Sequence, residues 1–196
     1  MTYKSSLPVH IMCPDTQVKP GVPTAHLSWA GQYITDTFAG HSDCTIIQIG
    51  DHWDMPSLSS YDRGKGAMEG RRYAEDIKAG VDAFRLLDDP ISKRRSWNPR
   101  KVYLYGNHED RINRAINDNA QLGGTISLDD CNTLDWERHA FLKPVVIDGV
   151  AYCHYFYNPM TGRANGGMIE TRLKTVGHSF TMGHQQTLMY GVRPVA

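Results

Sequence analysis

Three short apolar runs, each closed by a polar corner, constrain this chain more than any other feature. Val9–Cys13 is stopped by Pro14, residues 44–49 run into Gly50-Asp51, and residues 101–105 run into Gly106-Asn107. Runs of this length, rich in β-branched and aromatic residues, read as buried strands. The segments between them carry the helical period. Thr24 is placed to cap a helix with Leu27, Ala30, Ile34 and Phe38 on one face and Gly40 just past its end. After a polar loop holding Ser57, Ser59, Ser60 and Gly64, a longer helix presents Ala74, Ile77, Val81, Phe84 and Leu87. A third helix carries Ile112, Ala115 and Ile116 and is closed by Gly123-Gly124. Further on, Val145–Ile147 and Val150–Cys153 flank Asp148-Gly149, the strongest short hairpin signal in the chain. A loop over 158–167, a short helix near 169–173 and a strand at Phe180–Met182 follow, whereas residues 125–143 give no clear period. Three strand–helix alternations followed by hairpins imply an α/β layered fold. At 196 residues the chain fits one domain.

Composition narrows the function classes. The 21 basic and 21 acidic residues cancel, so no global field draws the chain to nucleic acid or an anionic membrane. No apolar run reaches the roughly 20 residues that span a bilayer, and the N-terminus lacks a secretion signal. Cys13, Cys44, Cys131 and Cys153 are dispersed and read as reduced thiols, which places the protein in a cytoplasmic compartment. The basic stretch 93–101 reads as a solvated loop, with Trp97 the one residue that would favour stacking on bases. His10, His26, His41 and His139 read as structural histidines and Asp148 as turn chemistry.

The corners carry the chemistry. Asp15, Asp51, Asn107 and His154 each follow a strand, and His184 follows the segment Phe180–Met182. Ligands of α/β sheets gather beyond the carboxyl ends of the strands, so these residues are expected to converge although they lie tens of positions apart. Mixed Asp, Asn and His ligation suits a divalent ion such as Mn, Fe or Zn. His184 is preferred to His178, its competitor in a nearby Gly-His pair, because an apolar strand leads into it.

Asp15-Thr16-Gln17, Gly50-Asp51-His52-Trp53-Asp54, Gly106-Asn107-His108-Glu109, the lone His154 and Gly183-His184-Gln185-Gln186 resemble, in order, the five blocks of the calcineurin-like metallophosphoesterases. The resemblance spans residues 15 to 186 and looks most like members found in bacteriophages, for which the compartment would be the host cytoplasm. It implies a layered β-sandwich flanked by helices and a pair of divalent ions, Mn²⁺ foremost, with Mg²⁺, Fe, Zn²⁺ and Ni²⁺ as alternatives. Asp51 would bridge the two ions. Asp15, with Gln17 and Gln186, would hold the first, and Asn107, His154 and His184 the second. His108 would contact the phosphate together with Asn107 and protonate the leaving oxygen, and Asp54 would orient His108. Gln17 and Gln186 stand where the family has histidines. An amide oxygen is a harder and weaker donor than imidazole, so the first site is expected to be looser and to favour Mn²⁺ or Mg²⁺ over Zn²⁺.

Such a pair of cations, roughly 3.5–4 Å apart, cancels charge on a phosphoester and acidifies a bridging water. Hydrolysis of a phosphomonoester or phosphodiester is therefore the leading expectation. A metal-dependent DNA or RNA nuclease is the second, and a non-catalytic metal- or phosphate-binding module the third. Arg111 is a candidate phosphate contact, and Arg114 another, although most exposed arginines on a helix are only solvated charge. Specificity is expected in the loops 55–66 and 158–167. Only ten residues follow Gln186, fewer than the family carries. That leaves a sheet lacking an edge, a sheet completed by a partner chain, or a fragment. Oligomeric state stays open.

Overall fold

The structure is a computed structural model, described for residues 7–194. The first six residues of the segment read as lacking a secretion signal lie outside that range. Strands β1 (Val9–Cys13), β2 (Cys44–Gln48), β3 (Arg100–Leu104) and β4 (Glu137–His139) form one sheet in sequence order, every neighbouring pair parallel. Strands β5 (Val145–Ile147), β6 (Val150–Cys153) and β7 (Phe180–Met182) form a second, in which β5–β6 is antiparallel and β6–β7 parallel. Asp148 and Gly149, both at positive φ, close the β5–β6 hairpin. The protein is thus α/β, with one parallel and one mixed sheet.

The topology dictates the layering. Parallel strands added one after another in a single direction, each through a right-handed crossover, send every crossover helix to the same face. Helices α1 (Ala25–Phe38), α2 (Tyr73–Ser92) and α3 (Arg111–Asp118) accordingly contribute Leu27, Ile34, Phe84, Leu87 and Ile112 to one cluster with Ile46 and Tyr103 of the first sheet. The alternate side chains Ile47, Val102 and Leu104 point the other way and pack with Ile147 and Tyr152 of the second sheet. The two-residue period of the strands therefore serves two cores, which is why β2 is buried at every position and reads as an unbroken apolar run.

Several expectations need correction. The buried residues of α2 are Asp76, Gly80, Ala83, Phe84, Leu87, Asp88 and Ile91; Ala74 is exposed, and Ile77 and Val81 are partly buried against the same core. Asp76 belongs to the interior because it accepts the Ser57 amide hydrogen at 2.9 Å. Thr24 stands at the N-cap of α1, but its side chain makes no capping hydrogen bond. Helix α3 ends at Asp118, and Gly123 instead follows a separate 3-10 turn, Ala120–Leu122, capped by the Asn119 side chain. The unpatterned region holds β4, an edge strand with Glu137 and Arg138 exposed. The basic stretch is not a solvated loop throughout. Arg100 and Lys101 belong to β3, Arg100 pairs with Glu137, and Lys101 is buried between Asp88 and Asp135. Trp97 is buried and donates to the His41 carbonyl, so it offers no face to a base. All four cysteines are free. Among the described residues no helix is long and apolar enough to cross a membrane.

Candidate metal centre

The carboxyl ends of β1, β2 and β3 lie on one edge, and β6 and β7 end beside them. Asp51, His154 and His184 present ligand atoms that all fall within 4.8 Å of one another, a group able to hold a metal ion. Asp51 and His154 are buried and His184 half-buried. The Asp51 Oδ2 atom lies 3.3 Å from His154 Nε2, and Asn107 Oδ1 lies 3.0 Å from the same nitrogen. His154 Nδ1 is 2.9 Å from the Ile49 carbonyl oxygen, a group that can only accept, so Nδ1 carries the proton. That leaves Nε2 to face the cluster, with the ring held by a backbone carbonyl at its other nitrogen as in metal-binding histidines. A carboxylate oxygen, an amide oxygen and an imidazole nitrogen directed at one point repel each other unless a cation lies between them.

The electrostatics agree. Burial pushes the Asp51 carboxyl up, but the hydrogen bond and charge of His154 and the charge of His108 outweigh it and hold the group below the usual carboxylate range. Burial alone would lower His154, yet Asp51 raises it above an ordinary histidine. Asp51 and His154 thus favour a positive charge between them, the charge a cation would supply. His184 moves the other way, driven down by burial and by His154, and is the more readily available as a neutral donor.

Asp15 sits at the margin of this group. Its Oδ2 accepts the His184 amide hydrogen at 2.8 Å, while its Oδ1 is buried with no hydrogen-bond partner. Burial raises its pKa. An orphaned carboxylate oxygen one residue's breadth from the cluster fits a second cation position. Gln17 donates its backbone amide to the Asp51 carbonyl and is half-buried, whereas Gln186 is exposed on the wall of a cavity that Asp15 also lines. The ligands expected for the second ion are therefore assembled, and those expected for the first are spread out. His178 is exposed and bonds only its neighbour's carbonyl, Ser179 O.

Backbone strain concentrates here. Asp15, Gln17, Asp51, Met55 and His184 all adopt positive φ, which non-glycine residues avoid unless the surroundings enforce it. The glycines preceding the ligands are required by close approach. A Cβ on Gly106 would fall 2.1 Å from Asp51 Oδ1, and one on Gly183 would fall 2.7 Å from Asp15 Oδ2.

His108 faces the cluster from the α3 side. Its Nδ1 donates to Asp54 Oδ1 at 2.8 Å, and its Nε2 lies 3.7 Å from Asp51 Oδ2. Burial lowers His108, but the Asp54 hydrogen bond and the Asp51 charge raise it above the ordinary value. Asp54, which burial would raise, is held low by His108 and by Lys19 at 3.3 Å. Arg111 is not a solvated helix residue. It donates to the carbonyls of Asp54 and Met55, and its Nη2 lies 3.3 Å from His108 Nε2. Arg114 donates to the Asn107 carbonyl at 2.6 Å.

One residue had no role in the sequence reading. Glu109 is fully buried and accepts from the amides of Asp51, Trp53 and Gly106 and from the Tyr103 hydroxyl, at 2.8–3.1 Å. It clasps the β2 and β3 corners together and so fixes the Asp51–Asn107 spacing. Its sequence signal was its place as the acidic last residue of the Gly106-Asn107-His108-Glu109 block. His52 likewise became a core residue: its Nε2 bonds the Gly80 carbonyl, Nδ1 bonds Thr16, and burial pushes it down to about 4, which leaves it neutral.

No family model, curated protein or solved structure matches this chain.

Proposed function

We propose that this chain is a divalent-metal-dependent phosphoesterase of the calcineurin-like kind, with the corresponding sandwich architecture. The observation that carries the proposal is the convergence of ligand atoms from separate strand ends, the buried Asp51 and His154 with the half-buried Asn107 and His184, beside a histidine–carboxylate pair, His108–Asp54. A binding module needs the first set only. The second set is the chemistry of a proton donor, and its presence favours an enzyme.

Asp51, Asn107, His154 and His184 would hold one cation, and Asp51 with Asp15 a second. Such ions, Mn²⁺ foremost, supply charge neutralisation at the phosphate oxygens and an acidified water. The remaining work belongs to the chain. Asn107 and Arg111 are positioned to orient phosphate oxygens, Arg through its planar fork. Asp54 holds the His108 ring by Nδ1 and leaves Nε2 on the side of the site, beside Arg111 Nη2; with Arg111 turned to the phosphate and Nε2 protonated, that proton can pass to a leaving oxygen. His108 and, after it, Lys19 hold Asp54 below the usual carboxylate range, and the Asp54 hydrogen bond in turn raises His108.

Hydrolysis of nitrophenyl mono- and diesters, with added Mn²⁺ and with chelator, tests the proposal. Chelator-sensitive turnover is expected, and Asp51→Asn should lower it by at least about 100-fold. Turnover that survives the substitution would rule the site out. The buried Trp97 and the ion-paired Arg100 and Lys101 weigh against the nuclease reading, and the other basic residues of that stretch, Lys93, Arg94 and Arg95, stay exposed.

A further inference from the structure

A cleft of about 250 Å³ opens between the turns at Pro56–Leu58 and Ser60–Asp62 and the exposed side of α3. Its walls include Ser57, Ser60, Arg63, Arg111, Arg114 and Asp118. Three guanidinium groups face a single carboxylate. Arg111 is at its inner end, 3.3 Å from His108 Nε2, and Arg114 is anchored to the Asn107 carbonyl and to Asp110 at 3.7 Å. Arg63 is exposed, and among the described residues its guanidinium pairs with no carboxylate. The neighbouring acid, Asp62, is instead taken by Arg71 at 2.8 Å and Lys65 at 3.9 Å. The volume lies below the roughly 300–1,000 Å³ of pockets that enclose whole small ligands, so the cleft suits part of one.

We propose that this cleft binds a second phosphate carried by the leaving group of the substrate. The inference rests on the phosphoesterase reading, because that reading makes His108 the donor to the leaving oxygen. Whatever continues from that oxygen leaves past His108 on the side of Arg111, whose guanidinium borders His108 Nε2 and also lines the cleft. Guanidinium is the side chain best matched to a phosphate, through paired N–H donors in a plane. The substrate class is thus a phosphoester whose alcohol bears another phosphate nearby. A bisphosphorylated nucleoside and an internal linkage of a nucleic-acid strand share that chemistry.

The test uses the full chain loaded with Mn²⁺ and reads binding by calorimetry, so it does not depend on turnover. The probes are adenosine 5′-monophosphate, adenosine 3′,5′-bisphosphate and a short single-stranded oligonucleotide. The wild-type protein is expected to hold the bisphosphate about tenfold more tightly than the monophosphate, the size of one charge-assisted contact. Arg63→Ala should erase that ratio and Arg63→Lys should restore part of it. An oligonucleotide that binds more tightly than the bisphosphate, with the same dependence on Arg63, assigns the second phosphate to a strand; equal or weaker binding assigns it to a small molecule. A ratio near one in the wild type, or one that Arg63→Ala leaves unchanged, overturns the subsite. Failure of the phosphoesterase reading shows separately, as turnover indifferent to Asp51→Asn.

Discussion

Replacing Gly106 by alanine tests whether the strand corners form a metal centre or only a well-packed turn. The residue has an ordinary φ, so the effect is steric alone. The new methyl group would lie 2.1 Å from Asp51 Oδ1 and 2.4 Å from the Asp51 amide nitrogen, both far inside contact distance. Asp51 is buried and tied through Oδ1 to the His108 amide at 2.9 Å, so it cannot rotate aside without losing that bond. Overpacking of this kind costs about 1–3 kcal/mol. The carboxylate must also retreat by roughly an ångström, several times the ±0.2 Å tolerance of a coordination sphere. The substitution should therefore do two things. It should lower metal-free stability modestly, and it should abolish the extra stability that metal confers. For the wild type that extra term is about 2.7 kcal/mol at a free metal concentration one hundred times Kd. At roughly 2–4 °C per kcal/mol for a chain of this size, it corresponds to about 5–10 °C in Tm. Thermal melts with Mn²⁺ and with chelator read both terms. Gly166→Ala is the control, because a Cβ there meets nothing within 4 Å. If the Gly106→Ala protein keeps the full metal-induced shift, Asp51 is not a ligand.

His108→Ala should slow hydrolysis of an alkyl phosphate by about 10²–10⁴-fold and that of a nitrophenyl ester by much less, since only the poor leaving group needs the proton; equal losses on both would assign His108 to binding. His154 has a folded pKa above its ordinary value, so its stabilisation of the metal-free protein is complete below that value and is lost as pH rises through the raised pKa. Melts in chelator between about pH 6 and 9 should therefore fall with pH, while the Mn²⁺-induced shift grows over the same window because metal displaces the proton; a shift independent of pH would mean that metal does not bind at His154 Nε2. Lys101→Met strands the buried Asp88 carboxylate, whose Oδ1 the lysine approaches to 3.1 Å, and should cost about 3–5 kcal/mol in urea unfolding. A loss below about 1 kcal/mol would show that Ser92 and Trp136, which also donate to Asp88, satisfy it without the lysine.

What the sequence made legible follows from where each residue's partners lie. Strand β2 announces itself because burial on both faces demands continuous apolar residues, as do the last three residues of β3; β1, half-buried at the sheet edge, is legible from its apolar run alone. The candidate ligands announce themselves because a strand end needs no polar side chain, so Asp51, Asn107 and His154 at successive strand ends stand out. Strand β4 was hidden for the opposite reason. As an edge strand of three residues it has Glu137 and Arg138 in solvent and offers no apolar pattern. The face of α2 is legible through Ile77, Val81, Phe84 and Leu87, but its first turn is not: Ala74 is exposed and Asp76 is buried, because the contact with the turn at residue 57 is polar and a periodicity count sees only apolar partners. Glu109 was invisible as a clasp because its hydrogen bonds go mainly to backbone amides, which every sequence possesses.

The same topology explains why the site needs both sheets. Three parallel strands in sequence order bring Asp15, Asp51 and Asn107 to one edge, but their crossover helices all occupy one face and supply no ligand to the cluster. The opposite face is closed by the second sheet, whose β6 and β7 run parallel to each other and end at His154 and His184. The acid oxygens thus come from one layer and the imidazoles from the other, and the cluster forms only where the two sheets meet. Loss of the hydrophobic contact between them, through Ile47, Val102 and Tyr152, should separate the carboxylate from its histidines before it unfolds either sheet.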